Sequence, residues 1–186
     1  EKVDQVGVTG ICGSGIIEII GEMFLAGIIT QGGVIDGSLA ARSPRIEATG
    51  RTFSYLLWQG EQEIRITQND VRAIQLAKAA LYAGIKLLMD EMGTPSVDRI
   101  RLAGAFGSHI SVSHAMVLGL IPDCDLEQVT SAGNAAGAGA RMALLDRNAR
   151  LEIADTIRTA ERIETAIAPE FQSHFVGAMG LPHQSD

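Results

Sequence analysis

The stretch Ile100-Arg101-Leu102-Ala103-Gly104-Ala105-Phe106-Gly107-Ser108-His109-Ile110 decides how the rest of the chain is read. It runs apolar as far as Ala103, breaks at Gly104, and places a second glycine three residues later, with Ser108 directly after it. The apolar half reads as a buried strand. The glycines serve either a tight turn or a backbone that must let a ligand come close. Two other places repeat the pattern, Gly10–Gly15 and Gly133–Gly139. In each, a strand-like run is followed by glycines with a small hydroxyl or amide residue, and then by a helix. A helix start offers unpaired N–H groups and a positive dipole end, which suit phosphate. One such turn is routine in an α/β protein; three in 186 residues weigh towards a ligand. None is a P-loop or the dinucleotide fingerprint, since "GICGSG" is spaced G-x-x-G-x-G rather than G-x-G-x-x-G.

A length of 186 residues allows one large domain or two small lobes. With 46% hydrophobic and 20% charged residues, the composition is that of an ordinary globular core. Aromatic residues are only 4%, so that core must be built from Ile, Leu, Val and Ala, and 21 glycines imply many tight turns. A formal net charge of -7, with Arg and Lys scattered, argues against a nucleic-acid surface. The two cysteines, Cys12 and Cys124, form no C-x-x-C pair, so neither a zinc ribbon nor an iron–sulfur cluster is encoded here. A cytoplasmic location is the expectation. No apolar run approaches the roughly 20 residues of a membrane span, and no charged-then-apolar leader precedes the first residues. The text starts at Glu1, inside the strand-like run Val3–Thr9, and is read as a piece of a longer protein.

Along the chain, Val6–Gly10 is expected as a short strand and Ser14–Ala26 as a helix, buried through Ile16, Ile17, Ile19, Ile20, Met23 and Phe24. Gly27 can end it. Residues 31–50, rich in Gly, Ser and Pro, are expected as a surface loop. "RTFSYLLW" and "QEIRIT", around Gln59-Gly60, predict a hairpin. Residues 31–66 thus read as a loop and β-hairpin insertion. Thr67-Gln68-Asn69-Asp70 is a capping-box signature opening a helix that runs to Gly93. Its expected buried stripe is Ile74, Ala77, Leu81, Ile85 and Leu88. After strand Ile100–Ala103 come a short helix Val112–Leu118, a strand Val129–Ala132 and a helix of small residues after Asn134. Leu151–Arg162 is expected as helix, Ile163–Ile167 as extended chain and Pro169–Met179 as a last helix. The order predicts an α/β domain with a mixed sheet and helices on its faces.

Several side chains are candidates beside the glycine turns. Gln75 and Lys78, three apart, share a helix face. Both suit a ribose or an adenine edge, and spacing alone favours a solvated face. Ala135, Ala136, Gly137, Ala138, Gly139 and Ala140 leave a helix with almost no side chains. Glycine costs about 0.5–1 kcal/mol against alanine there, so this helix needs either tight core packing or a contact with another lobe. Cys12 sits where a thiolate could be stabilised, though a small buried thiol is the simpler reading. His109 and His114 lack carboxylate neighbours in sequence, which argues against a metal site. Glu18 either reaches a ligand at the first turn or faces solvent.

Taken together, "TGICGSGIIEII" (9–20), Ile66–Asp70, "IQLAKAALYAGI" (74–85), "LAGAFGSHI" (102–110), "LGLIPD" (118–123) and "GNAAGAGARMALL" (133–145) resemble one family. It is the C-terminal ATP-binding domain of the reductive activators of corrinoid proteins, in the acetate and sugar kinase, heat-shock chaperone and actin superfamily. The likeness extends to "APEFQSHFVGAM" (168–179). "GICGSGIIE" also resembles the glycine turn of hydroxyacyl-CoA dehydratase activators in that superfamily.

The resemblance implies a ribonuclease-H-like lobe, the adenosine-side half of an actin-like ATPase domain. The parent would carry an iron–sulfur domain with a 2Fe-2S cluster. It would use ATP with Mg2+ to help return a Co(II) corrinoid to Co(I) on a methyltransferase corrinoid protein, with weak ATPase activity. Gly104, Ala105, Phe106, Gly107 and Ser108 match the superfamily's adenosine motif, and Gly13, Ser14 and Gly15 the facing turn. Gln75 and Lys78 match helix positions that face ribose or adenine. The helix after Asn134 matches an element that packs on the other lobe and hinges. The superfamily's Asp-x-Gly-Thr phosphate loop is missing, and Asp36-Gly37-Ser38 does not fit it. The chain alone is therefore expected neither to move electrons nor to hydrolyse ATP well. Other readings stay open: a lobe of a small-molecule kinase or dehydratase activator, or a docking domain without ATP. A homodimer is also open. Neither a nucleic acid nor a membrane is expected as a partner.

Overall fold

The computed structural model describes residues 7–165 and 167–182. Helix α1 (Gly13–Leu25) buries Ile17, Ile20 and Met23. A 3-10 turn (Gly37–Ala41) leads to β1 (Ile46–Thr49), β2 (Thr52–Gln59) and β3 (Glu63–Thr67). The long helix α2 (Gln68–Glu91) follows, then β4 (Ile100–Ala103), the one-turn α3 (Gly104–Gly107) and α4 (Val112–Val117). A 3-10 turn (Leu126–Gln128) precedes β5 (Val129–Gly133), α5 (Ala135–Leu145), α6 (Arg147–Thr159) and α7 (Pro169–Gly177).

The α/β class holds; among the described residues the strands form two sheets. The first, β1-β2-β3, is antiparallel, with Ile46 opposite Tyr55 and Tyr55 opposite Ile66. The second is the parallel pair β4-β5, with Ile100 opposite Val129 and Ala103 opposite Gly133. The main core joins α1, the first sheet and the start of α2 through Ile17, Ile20, Ile35, Ile46, Ile66 and Val71. A smaller one gathers Ala115, Leu120, Ile121 and Val129 beside β5.

Four expectations need correction. Gly7–Gly10 is not strand, and the earlier part of that expected strand lies outside the described residues. Residues 31–50 are not simply a surface loop: Ile35 and Ile46 are core residues, and β1 pairs along β2. The short, mixed "IEAT" has too little alternation to read as a strand; the ladder to β2 makes it one. No strand forms among the described residues of the expected extended run Ile163–Ile167, of which Ala166 lies outside them. On α2, Leu81 and Leu88 of the expected stripe are 48% and 51% exposed. The buried face instead carries Val71, Gln75, Lys78, Ala79 and Ala83, because α7 and the turn after it pack there.

The start of α2 follows the sequence closely. The Asp70 backbone N–H donates to Thr67 Oγ1 at 3.2 Å, and the Thr67 N–H donates to Asp70 Oδ2 at 2.8 Å. Two of the orphan donors at the helix start are thereby satisfied reciprocally. Replacing Thr67 by alanine is expected to cost about 1 kcal/mol, read as a lower urea midpoint with an unchanged slope. Among the described residues, no helix is long and apolar enough to cross a membrane.

Candidate functional site

The parallel pair β4-β5 fixes the site. Paired side by side, the two strands release their chains at the same end, so the turns after Ala103 and Gly133 are neighbours. Ligands of open α/β sheets sit outside the carboxyl ends of the strands. Ser131 Oγ donates to Ser108 Oγ at 3.2 Å and accepts from the Gly133 N–H at 3.1 Å, tying the second and third glycine turns together. The first turn arrives from α1: a Cβ on Gly13 would lie 3.5 Å from the Phe106 ring. Three glycine turns far apart in sequence therefore meet at one place.

The backbone there suits a close ligand. Gly104 has φ +92°, which L side chains rarely adopt, and the space where its Cβ would point is open. Gly107 is tight on its other side, where a Cβ would meet the Leu102 backbone at 3.0 Å. Ser108 Oγ donates to the Gly104 carbonyl at 3.0 Å, holding the turn closed. Ala105 is exposed and Phe106 is 50% exposed, which leaves an apolar ring beside the open turn. Ser14 and Gly15 stand at the start of α1. Cys12 caps that helix, its Sγ accepting from the Gly15 N–H at 3.4 Å. Contrary to the simpler sequence reading, this thiol is exposed. The Ser14 hydroxyl, and then the Gly15 N–H, lower its pKa from the ordinary 9.0.

Gln75 and Lys78 are placed differently. Neither is on a solvated face: they are 1% and 0% exposed. Gln75 Nε2 donates to the carbonyls of Met179 at 2.8 Å and Gly32 at 3.3 Å. Lys78 Nζ donates to the Gly180 carbonyl. Desolvation lowers the Lys78 pKa from 10.5 to about 8. Their hydrogen bonds run to the chain around Gly32 and Gly180 and to none of the three glycine turns. Spacing could not show this, because the partners are backbone groups 43 and more positions away.

Two further placements escaped the sequence. His114 does have a carboxylate neighbour: its Nε2 lies 2.9 Å from Glu22 Oε1, while Ser111 Oγ lies 2.6 Å from its Nδ1. This clasp joins α4 to the second half of α1. Gly21 lets the two helices meet, since a Cβ there would come within 2.7 Å of the imidazole. Among the described residues, no group of three or more His, Cys, Asp and Glu side chains could hold a metal ion. Helix α5, for which core packing and an interlobe contact were both open, has no buried residue, and Glu18 faces solvent.

A family model described as the C-terminal domain of RACo, the ASKHA domain, matches residues 1–186. The chain belongs to this family. The ASKHA domain is 38% identical over 175 residues to a corrinoid activation enzyme, RamQ, of Eubacterium limosum, covering 87% of the chain and 29% of that enzyme. It also superposes on a solved reductive activator for a corrinoid, iron–sulfur protein with a TM-score of 0.83 and 33% identity, over 95% of the chain and 29% of that protein. The domain thus spans under a third of the length of either relative. Membership establishes the actin-like ATPase fold.

Proposed function

We propose that this chain is the adenosine-side lobe of an ATP-dependent activator that supports reduction of Co(II) corrinoid to Co(I) on a methyltransferase corrinoid protein. The observation that carries the nucleotide part is the meeting of the Gly13, Gly104 and Gly133 turns at the carboxyl ends of β4 and β5. The corrinoid part rests on the names of the two relatives. Because the chain covers 29% of each, we place it within a longer protein that supplies the second lobe and the 2Fe-2S cluster.

Gly104 and Gly107 would keep the backbone low beneath the nucleoside, with the Phe106 ring against its apolar face. Gly13, Ser14 and Gly15 would close the opposite wall. The residues present fit such a group: the turn is open at Gly104, a ring is exposed, and Ser108 and Ser131 are at hand. ATP supplies binding and hydrolysis energy, and its Mg2+ would be held by phosphates and by groups of the missing lobe. The chain's own work is to bind and to move. The uncovered α5 is where a second lobe would rest, and closure there would transmit nucleotide state to the partner. Gln75 and Lys78 hold α2 to the end of the chain rather than touching the nucleotide.

Calorimetric titration of the full-length protein with ATP tests the reading, with cobalt reduction followed by loss of the Co(II) absorption. Gly104→Val is expected to weaken ATP binding by at least about tenfold and to slow reduction, and its urea midpoint is expected to fall by a backbone cost of about 1–2 kcal/mol, because φ is +92° there. Unchanged ATP affinity in that variant would remove the nucleotide from this turn. No ATP binding by the unmodified protein would leave a docking domain.

A further inference from the structure

Two serine hydroxyls at the meeting of the glycine turns have their protons already placed. A serine hydroxyl has one proton to give and two lone pairs that accept. The Gly104 carbonyl can only accept, so the Ser108 proton points to it, at 3.0 Å. The Gly133 N–H can only donate, so the Ser131 oxygen accepts it, at 3.1 Å. The two hydroxyls are 3.2 Å apart, and Ser108 has no second proton, so Ser131 donates between them. The result is a chain with one direction: Gly133 N–H to Ser131 Oγ, Ser131 to Ser108, Ser108 to the Gly104 carbonyl. Reversal is barred at both ends, and bonds in such a chain polarise one another. Each oxygen keeps one lone pair outside the chain, and both residues are exposed.

A ligand that meets this pair must therefore donate to it. Phosphate oxygens and carboxylates bring only acceptors and would face lone pairs. The start of α5 beside it is engaged as well, the Gly137 N–H donating to Asn134 Oδ1 at 2.9 Å. Small hydroxyls in a glycine turn before a helix usually suggest phosphate; here the hydrogen-bond polarity points elsewhere. Phe106, two residues before Ser108, is 50% exposed and offers a ring face on which a base can stack. The donor that adenine carries is its 6-amino group, where guanine has an oxygen. We propose that Ser131 and Ser108 accept a hydrogen bond from the 6-amino group of the bound adenine and so make the site prefer adenine to 6-oxo purines. This role rests on the nucleotide reading of the three turns.

Calorimetry on the full-length protein with ATP, inosine triphosphate and 2′-deoxy-ATP tests it. Inosine carries a carbonyl oxygen where adenine carries the amine. Inosine triphosphate is expected to bind at least about tenfold more weakly than ATP, and 2′-deoxy-ATP as tightly as ATP. Ser131→Ala releases the Gly133 N–H, a donor that suits the inosine oxygen, so the preference for ATP should shrink to about threefold or less. A purely structural role for Ser131 would weaken both nucleotides alike and leave their ratio unchanged. Three results would overturn the proposal. They are equal binding of ATP and inosine triphosphate by the unmodified protein, a ratio unmoved by Ser131→Ala, and a loss for 2′-deoxy-ATP as large as that for inosine triphosphate. The last would put the sugar at these hydroxyls. With ATP bound and sensitive to Gly104→Val, any of these removes the base choice alone; no ATP binding at all removes the nucleotide reading with it.

Discussion

Gly33→Ala is expected to destabilise the chain by about 4 kcal/mol, from two sources. Gly33 has φ +75°, a backbone region that costs any side chain about 1–2 kcal/mol. The added Cβ would also lie 2.2 Å from the Gln75 carboxamide. The end of a flexible side chain can usually swing aside. Here it is 1% exposed and bound to Gly32 and Met179, so moving it breaks buried hydrogen bonds worth about 1–3 kcal/mol. Gly33 is held in place as well, its N–H on the Thr30 carbonyl at 2.8 Å and its own carbonyl accepting from Gln68 Nε2 at 2.6 Å. Urea unfolding followed by Trp58, the single tryptophan, reads the loss directly. A double-mutant cycle separates the sources. Gly33→Ala placed on Gln75→Ala should cost only the backbone part, about 1–2 kcal/mol. An equal cost in both backgrounds would show that the amide does not stand where the structure puts it.

That residue pair also shows what the sequence could and could not say. The second and third glycine turns were legible because their meaning is local: a strand, a break and a helix start are written within a dozen residues; before the first, Gly7–Gly10 form no strand. The parallel pairing that brings Gly104 and Gly133 together joins two short runs linked by helices, although β4, read as buried, is not: Arg101 and Ala103 are exposed and Ile100 and Leu102 half-buried. The capping box at Thr67 is local too, and it holds bond for bond. What failed was every feature decided at long range. Periodicity on α2 pointed to Leu81 and Leu88, which are apolar at the right spacing. The face that packing chose contains an amide and an ammonium, because backbone carbonyls arriving from residues 32, 179 and 180 make their burial affordable. No pattern within α2 announces such partners. How the strands group was hidden for a similar reason. A hairpin and a parallel pair are each visible, but whether their edges meet is not. The His114–Glu22 clasp joins positions 92 apart, and only the depth of Gly21 hints at it.

Stability is expected to rise by up to about 3 kcal/mol between pH 8 and 10.5, and Lys78 is the cause. Its ammonium is fully enclosed, with a pKa lowered from 10.5 to about 8 by desolvation. In the unfolded chain the group keeps its proton until about 10.5. In that window the unfolded state binds more protons than the folded one, so raising pH favours folding. Below pH 8 both states are charged and the whole penalty is present; above 10.5 both are neutral and it is gone. Lys78→Met should flatten the profile, which separates this group from Tyr82 and Cys12, both of which also have shifted pKa values. At pH 7 the substitution is expected to be near neutral. It removes a buried charge but strands the Gly180 carbonyl, and the two changes oppose each other at about 1–3 kcal/mol each. Lys78→Ala lacks the compensating volume and should be worse than Lys78→Met by about 2 kcal/mol. Urea unfolding at pH 7, 8, 9 and 10 on the three proteins measures all of this. A rise of equal size in Lys78→Met would place the titrating group elsewhere and leave the buried lysine neutral in its effect.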